Sequence, residues 1–490
     1  MKVKMILPAL TEATSPFFRP IKYSLFPPLG LASIASHFSA EDEIELVDEH
    51  VEPVDTDDEP DLVVIQAYIT SAARAYELAD HYRSKNVYVT MGGLHVTSLP
   101  EEAMLHADTV FLGPGGDAWP RFLEDFRSGS PKNSYFSSSR SLVGVPPLRR
   151  DLIKRDLYLV PNSIVVSRGC PHSCDFCYKE AFFEGGRSFY VKEVDEALEE
   201  IASLPGRHLY FLDDHLLGNP RFASSLFEGM RGMNRLFQGA ATVQSILRSD
   251  GLVEKAVEAG LRSIFIGFET LSPENLREHD KYQNLNQNYK QAIRKLQSLG
   301  VMVNGSFVFG MDGDDHSVFD RTVDWAVEHG IETATFHIMT PYPGTGLYKR
   351  MEAENRILHH DWNLFDTRHV VFRPAGMEPD ELEEGYWRAY EKFYRWSSIF
   401  KGASTKPDLR NSLRHIAYAG GWKKFEPVWD QAIRLRRVRR MMPFLESVLS
   451  GYLKDLSGSE KASEFSGLSF ANAESVHPGV GGKKTERQAL

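Results

Sequence analysis

The sequence predicts a parallel α/β chain in three parts: a doubly wound N-terminal domain, a partial (β/α)6 barrel and a helical C-terminal region. Three observations carry this. Short β-rich runs alternate with helical stretches over roughly the first 125 residues, a second alternating series of six strands follows, and an aromatic, helical stretch comes after both. Alternation of this kind is the pattern of βαβ units on parallel sheets. At 490 residues the chain exceeds what one core needs, so several domains are expected.

In the first series the strands are VKMILPA, EIELVDE, DLVVIQAY, NVYVTMGG and DTVFLG, separated by the helical LGLASIASHF, SAARAYELADHYRS and LPEEAMLH. The N-terminus MKVKMILPAL has two lysines but no long apolar core or small-residue cleavage site, and reads as a first strand. Open sheets of this kind bind ligands beyond the carboxyl ends of their strands. This domain is placed at 1–130, and a Ser/Pro/Gly-rich segment at 131–160 is read as a linker.

The second series runs NSIVVS, RHLYFLD, GAATVQSI, RSIFIGF, VMVNGSFVFG and ETATFHI, with helical segments between. Six βα repeats point to a partial barrel at 161–350 with its active site at the C-terminal strand ends. Residues 351–455, including DELEEGYWRAYEKFYRWSSIF, read as a helical C-terminal domain, and the small, polar 456–490 as a disordered tail.

Hydrophobic residues make up 42 % and charged residues 25 % of the chain, close to globular averages. No run approaches the eighteen or so apolar residues of a membrane span. The net charge of -11 disfavours general nucleic-acid binding. A basic run at 433–442, IRLRRVRRMM, reads as a solvated helix face.

All three cysteines fall in SRGCPHSCDFCYKE: Cys170, Cys174 and Cys177, spaced C-x3-C-x2-C. A secreted disulfide framework would scatter an even number along the chain, so the reducing cytoplasm is the expected compartment. Thiolates are soft ligands for zinc or iron-sulfur clusters. A closed zinc site would need a fourth ligand such as His172, or the more distant His208 or His215. A [4Fe-4S] cluster held by three thiolates leaves one iron open to a small molecule. The motif follows the first barrel strand, on the catalytic face, and Phe176 would give a cluster a dry aromatic neighbour. Cluster, Cys3His zinc and unligated thiols all stand at this point.

The motif, with its aromatic before the third cysteine and its place after the first of six βα units, resembles the radical S-adenosylmethionine (SAM) superfamily. The resemblance implies a [4Fe-4S] cluster on Cys170, Cys174 and Cys177, SAM as cofactor, and an external electron donor such as flavodoxin or ferredoxin. In YFLDDHLLGN, Asp213 and Asp214 stand where the family binds the methionine amino group, although a Gly-Gly-Glu pattern is commoner there; two adjacent aspartates also suit a helix N-cap. Glu269, ending SIFIGFET, lies where the family approaches SAM and substrate, and could accept ribose hydroxyls or cap the next helix. NGSFVFGMDGDD, with Gly310, and TPYPGTGLY match later turns of the barrel.

The first domain resembles the cobalamin-binding domain of one branch of that superfamily, through FPPLGLASIASHF, IELVDEHVEP, DLVVIQAYITSAARAYELA, VTMGGLHVTSLPEEA and ADTVFLGPGGDAWPRFL. Cobalamin is thereby implied, with Gly92 and Gly93 beside its nucleotide tail; an ordinary tight turn is the alternative. GPGGDAWP departs from the Gly-Glu-Gly-Glu of relatives at Pro114 and Gly116, and no G-x-G-x-x-G fingerprint is present. The Asp-x-His-x-x-Gly motif of histidine-ligated cobalamin is absent, and His50 lacks its pattern, so no histidine is expected on cobalt from that motif.

These resemblances imply a methyltransferase acting on an unactivated carbon, or a ring-forming or rearranging enzyme with the same cofactors; a non-catalytic cobalamin- or zinc-binding module is a third reading. The substrate is expected to be a small molecule, lipid or peptide. Tyr342 and His337 are placed toward the barrel mouth, while His359 and His360 have no metal spacing.

Overall fold

The opening run KVKMIL buries five of its six side chains, the pattern of a strand covered on both faces of a parallel sheet. The computed structural model describes residues 1–10, 25–137, 139–183, 189–248, 251–423, 431 and 438–450. Strands β1 (Lys2–Leu7), β2 (Glu43–Asp48), β3 (Leu62–Gln66), β4 (Tyr88–Gly92), β5 (Thr109–Leu112) and β6 (Ser134–Phe136) form one parallel sheet in the order β2-β1-β3-β4-β5-β6. Strand order reverses between β1 and β3, which opens a crevice at their carboxyl ends. Separate apolar layers cover the two faces, one built on Leu31, Phe111, Trp119 and Phe122, the other on Val63, Leu78, Tyr82 and Val89.

The segment read as a linker contributes β6 to this sheet, and its Ile153, Leu157 and Tyr158 pack into the first of those layers. Ser/Pro/Gly content hid a short edge strand there.

The second sheet contains β7 (Ser163–Ile164), β10 (His208–Phe211), β11 (Leu236–Ala241), β12 (Leu261–Glu269), β13 (Met302–Phe309) and β14 (Thr333–Ile338), parallel and in reverse sequence order from β14 to β7. NSIVVS does not form a single strand: it divides into β7 and β8 (Ser167–Gly169), which pairs antiparallel with β9 (Phe189–Val191) as a separate ribbon. GAATVQSI also divides, because the Thr242 hydroxyl accepts from Ser245 N at 3.2 Å and starts the helix Val243–Arg248.

β7 and β14 are the free edges of the open barrel. The helix Pro379–Tyr394 covers β14. Its Tyr390 and Tyr394, four residues apart on one face, accept from Phe336 N and Ala334 N, each at 3.1 Å, and donate back to the same residues' carbonyls. These hydrogen bonds satisfy an edge that would otherwise be open. Leu382, Tyr386, Ala389 and Phe393 join the barrel's own apolar core, so this helix is a wall of the barrel. Among the described residues no helix is long and apolar enough to cross a membrane. Residues 433–437 of the basic run, and the whole tail at 456–490, lie outside the described residues, while 438–442 begin the helix Val438–Ser450.

Candidate active site

Three cysteines reach the barrel mouth because β7 and β8 are joined by a jog that Asp213 locks. Asp213, at the end of β10 and 3 % exposed, accepts from Val166 N at 3.2 Å and from both the amide and hydroxyl of Ser167. Burial pushes its carboxyl up to about 7 despite those donors. Asp213 is therefore engaged with the loop that carries the cysteines. Its neighbour Asp214 is exposed and accepts from the Tyr178 hydroxyl at 2.6 Å.

Cys174 is buried, while Cys170 and Cys177 are half-buried. Burial raises the Cys170 thiol and pushes that of Cys177 up to about 12. Thiols so short of water ionise only beside compensating positive charge. The surroundings supply part of it. Lys179, buried within the loop's own helical turn, donates to the carbonyls of Cys170 (3.0 Å) and His172. Gln283 Nε2 donates to Cys174 Sγ at 3.3 Å. Lys281 lies 5.9 Å over the Phe176 ring and is paired with Glu269 at 2.5 Å. Burial works against the Lys281 ammonium, but the charges of Glu269 and the nearby Cys174 outweigh it and hold its pKa above the usual lysine range.

The motif's remaining central residue, Asp175, ties the loop across the barrel's open seam. His279 Nδ1 lies 2.9 Å from Oδ1, Arg350 Nη1 donates to Oδ2 at 2.7 Å, and Leu347 N donates to the Asp175 carbonyl at 3.1 Å. Arg350 and Leu347 sit on the helix Gly346–Ala353 after β14. The first and last barrel units, unpaired as strands, are thus clasped at the rim.

The carboxyl ends of the two sheets face one another. The turn Ile69–Ser71 after β3 and the helix Leu94–Ser98 after β4 pack against the barrel turn Trp362–Leu364 and the cysteine-loop helix Lys179–Phe182. Trp362 Nε1 donates to Glu102 at 3.1 Å, and His95 lies against the Trp362 ring at 5.7 Å. Tyr68, at the β3 exit, exposes 44 % of its surface although burial raises its hydroxyl. Burial likewise raises Tyr178 and Asp214, and Tyr68 acts on Tyr178, so Tyr68 of the first domain stands near the Tyr178–Asp214 pair of the barrel.

Gly92 ends β4 and Gly93 follows it. Gly93 has φ +110°, and a Cβ on it would stand 2.8 Å from the Ala67 carbonyl oxygen; one on Gly92 would meet Phe111 Cβ at 3.2 Å. Both glycines let the β4 exit cross tightly between its neighbours. Glu269, at φ +63°, ends β12 with Oε1 turned to Lys281.

The histidines are engaged elsewhere. His172 stacks on His215 with centroids 6.0 Å apart, and among the described residues no three His, Cys, Asp or Glu side chains are gathered as a single metal ion requires. His50 Nδ1 lies 2.8 Å from Asp48 Oδ1, His337 Nδ1 lies 3.1 Å from Thr367 Oγ1, and His360 Nε2 lies 3.1 Å from the Tyr348 hydroxyl, while His359 packs edge-on to Phe365. Tyr342 is half-buried beside Pro343, at the contact with Ile69 and His95.

Sequence reading missed Lys179, Tyr178, Asp175, Lys281, Gln283, Tyr68 and Arg350. For the first three the signal was adjacency to the cysteines. Nothing in HDKYQN or QAYITS marks the others, which are brought in by folding.

The carboxyl ends of a switch-point sheet and of a three-cysteine barrel meet face to face, an arrangement suited to a cluster and a bulky ligand. Residues 164–326 match the radical SAM superfamily, and residues 23–123 match the B12 binding domain. The chain is 29 % identical over 395 residues to the bacteriochlorophyllide d C-12(1)-methyltransferase of Chlorobaculum tepidum, covering 78 % of this chain and 85 % of that one. It is 28 % identical to the C-8(2)-methyltransferase of the same organism, with 80 % and 90 % covered. The fold is also that of the radical SAM methyltransferase TsrM from Kitasatospora setae, solved with cobalamin and a [4Fe-4S] cluster, at TM-score 0.61 and 12 % identity over 89 % of this chain and 99 % of that one. The chain belongs to the cobalamin-binding radical SAM enzyme family, whose cofactors are a [4Fe-4S] cluster, SAM and cobalamin.

Proposed function

We propose that the chain is a cobalamin-dependent radical SAM methyltransferase that methylates an unactivated carbon of a small molecule, lipid or peptide. The observation that carries this reading is that the carboxyl end of the first sheet, with Tyr68, packs onto the barrel loop that carries the three cysteines, Tyr178 and Asp214. When bound, the cluster and SAM supply a carbon-centred radical and cobalamin supplies the methyl group.

The residues present fit that role. Cys170, Cys174 and Cys177 would hold the cluster, and three thiolates would leave one iron open to SAM. Lys281 and the Gln283 amide offset the charge of thiolates taken out of water. Asp214, rather than the engaged Asp213, accepts the methionine ammonium, and Tyr178 orients it. Glu269, fixed through Oε1 by Lys281, offers its other oxygen to the ribose. Gly92 and Gly93, which keep the β4 exit free of side chains, would leave room for the cobalamin tail. His95, Tyr342 and Trp362 pack where the first domain meets the barrel, and this contact would help keep water from a radical. Electrons come from an external donor such as flavodoxin or ferredoxin.

The test is anaerobic reconstitution followed by iron, cobalamin and deoxyadenosine analysis with SAM and reductant. Four irons per chain, bound cobalamin and deoxyadenosine are expected, with iron and deoxyadenosine lost and cobalamin kept when all three cysteines become alanine. Zinc without iron, and no deoxyadenosine, would sink the reading.

A further inference from the structure

A cavity about 670 Å³ in volume reaches the cysteine loop at Pro171 and His172 from the side of β10 and β11. Its size suits a small-molecule ligand. Arg221, Arg248 and Lys255 line it, and among the described residues no aspartate or glutamate does. Lys255 is already held by Glu228 and Ser224, whereas Arg221 and Arg248 have no carboxylate partner among the described residues.

Two further features point the same way. The helices Pro220–Met230 and Leu252–Ala259 present their first turns to the cavity through Arg221, Ser224 and Lys255, adding the positive end of each helix dipole. His215, 2 % exposed and part of the lining, has no hydrogen-bond partner at Nδ1, while its Nε2 lies 3.4 Å from Thr242 Oγ1. A buried ring nitrogen without a partner is costly. Burial holds this imidazole neutral, with its pKa down at about 3, so it adds no charge to the lining.

We infer that this cavity receives an anionic arm, carboxylate or phosphate, of the molecule to be methylated, with Arg221 and Arg248 as the residues that select it. The inference rests on the methyltransferase reading for the identity of the occupant, and on the cavity alone for its charge. An arm anchored there would place the rest of the acceptor toward the cysteine loop, which contributes Pro171 and His172 to the same wall.

The test is calorimetric titration of enzyme loaded with cluster and cobalamin, at low salt, with glutarate and separately with pyrophosphate, using the natural chain and an Arg221→Ala, Arg248→Ala double variant. SAM is titrated alongside. One of the two anions should bind the natural chain, and which one names the arm. The double variant should bind it about tenfold or more weakly, with rescue by Arg→Lys at both positions for a phosphate and less for a carboxylate gripped by both guanidinium nitrogens. Binding of neither anion, or equal binding by both proteins, overturns the inference. A matching loss of SAM affinity also overturns it, because the cavity would then belong to SAM. Failure of the natural chain to form deoxyadenosine would instead refute the methyltransferase reading and leave the anion titration standing.

Discussion

Replacing Arg350 with methionine cuts a charged link between the first and last units of the open barrel. Arg350 Nη1 lies 2.7 Å from Asp175 Oδ2, with the side chains 32 % and 10 % exposed. Two unit charges about 4 Å apart attract by about 4 kcal/mol at an effective dielectric constant of about 20. Partial exposure of the guanidinium screens this, and Asp175 keeps His279 at 2.9 Å, so the expected coupling is about 1–2 kcal/mol. A loop held by that much less opens roughly 5–30 times more often. Iron release to a chelator, measured on the loaded enzyme for the natural chain, Arg350→Met, Asp175→Asn and the double variant, reads the coupling directly. Burial would raise the Asp175 carboxyl, but the His279 hydrogen bond and charge, then Arg350, outweigh it and hold it below its ordinary value. The stabilisation is therefore full above the ordinary carboxylate range and lost as pH falls through the lowered value. Arg350→Met should move acid-promoted iron loss to higher pH. Release rates that combine additively to within about 0.5 kcal/mol, or an unchanged acid profile, would refute the clasp.

The two adjacent aspartates should separate by assay. Asp214→Ala is expected to weaken SAM binding with little change in iron content, whereas Asp213→Ala, which strands the Val166 and Ser167 amides, should cost about 1–3 kcal/mol of stability and shed iron on desalting. Gln283→Leu removes the donor to Cys174 Sγ; hydrogen bonds to cluster sulfurs favour the reduced state, so a smaller reduced fraction at a fixed potential is expected by electron paramagnetic resonance. At the barrel's far side, burial would raise Glu332, but Lys406 and His415 hold it down to about 2. Its depressed pKa contributes about 3 kcal/mol, present above about pH 4.5 and lost as pH falls toward 2, and Glu332→Gln should remove that acid dependence from unfolding curves.

The parts of this molecule that could be read from sequence are those whose meaning is local. A strand such as KVKMIL or DLVVIQAY announces itself because burial on both faces demands unbroken apolar residues, and three thiols within eight positions can serve one centre without any knowledge of the fold. What could not be read depends on distance along the chain. Gln283 reaches Cys174 across 109 positions and Arg350 reaches Asp175 across 175, and neither residue type is unusual where it stands. The adjacent aspartates show the same limit at its sharpest. Asp213 and Asp214 are chemically identical and consecutive, yet the turn that follows β10 sends one into the jog beneath the cysteines and the other toward Tyr178. The helical tail makes the point for packing: Tyr386, Tyr390 and Tyr394 recur every four residues, which marks an amphipathic helix, but only the unpaired backbone of β14 explains why the buried face carries hydroxyls. An apolar helix would have left that edge unsatisfied, and a charged one would have had to be buried against it. Tyrosine supplies both the apolar ring and the single donor-acceptor that an edge strand needs, so Tyr390→Phe and Tyr394→Phe should open β14 to amide hydrogen exchange while leaving the helix in place.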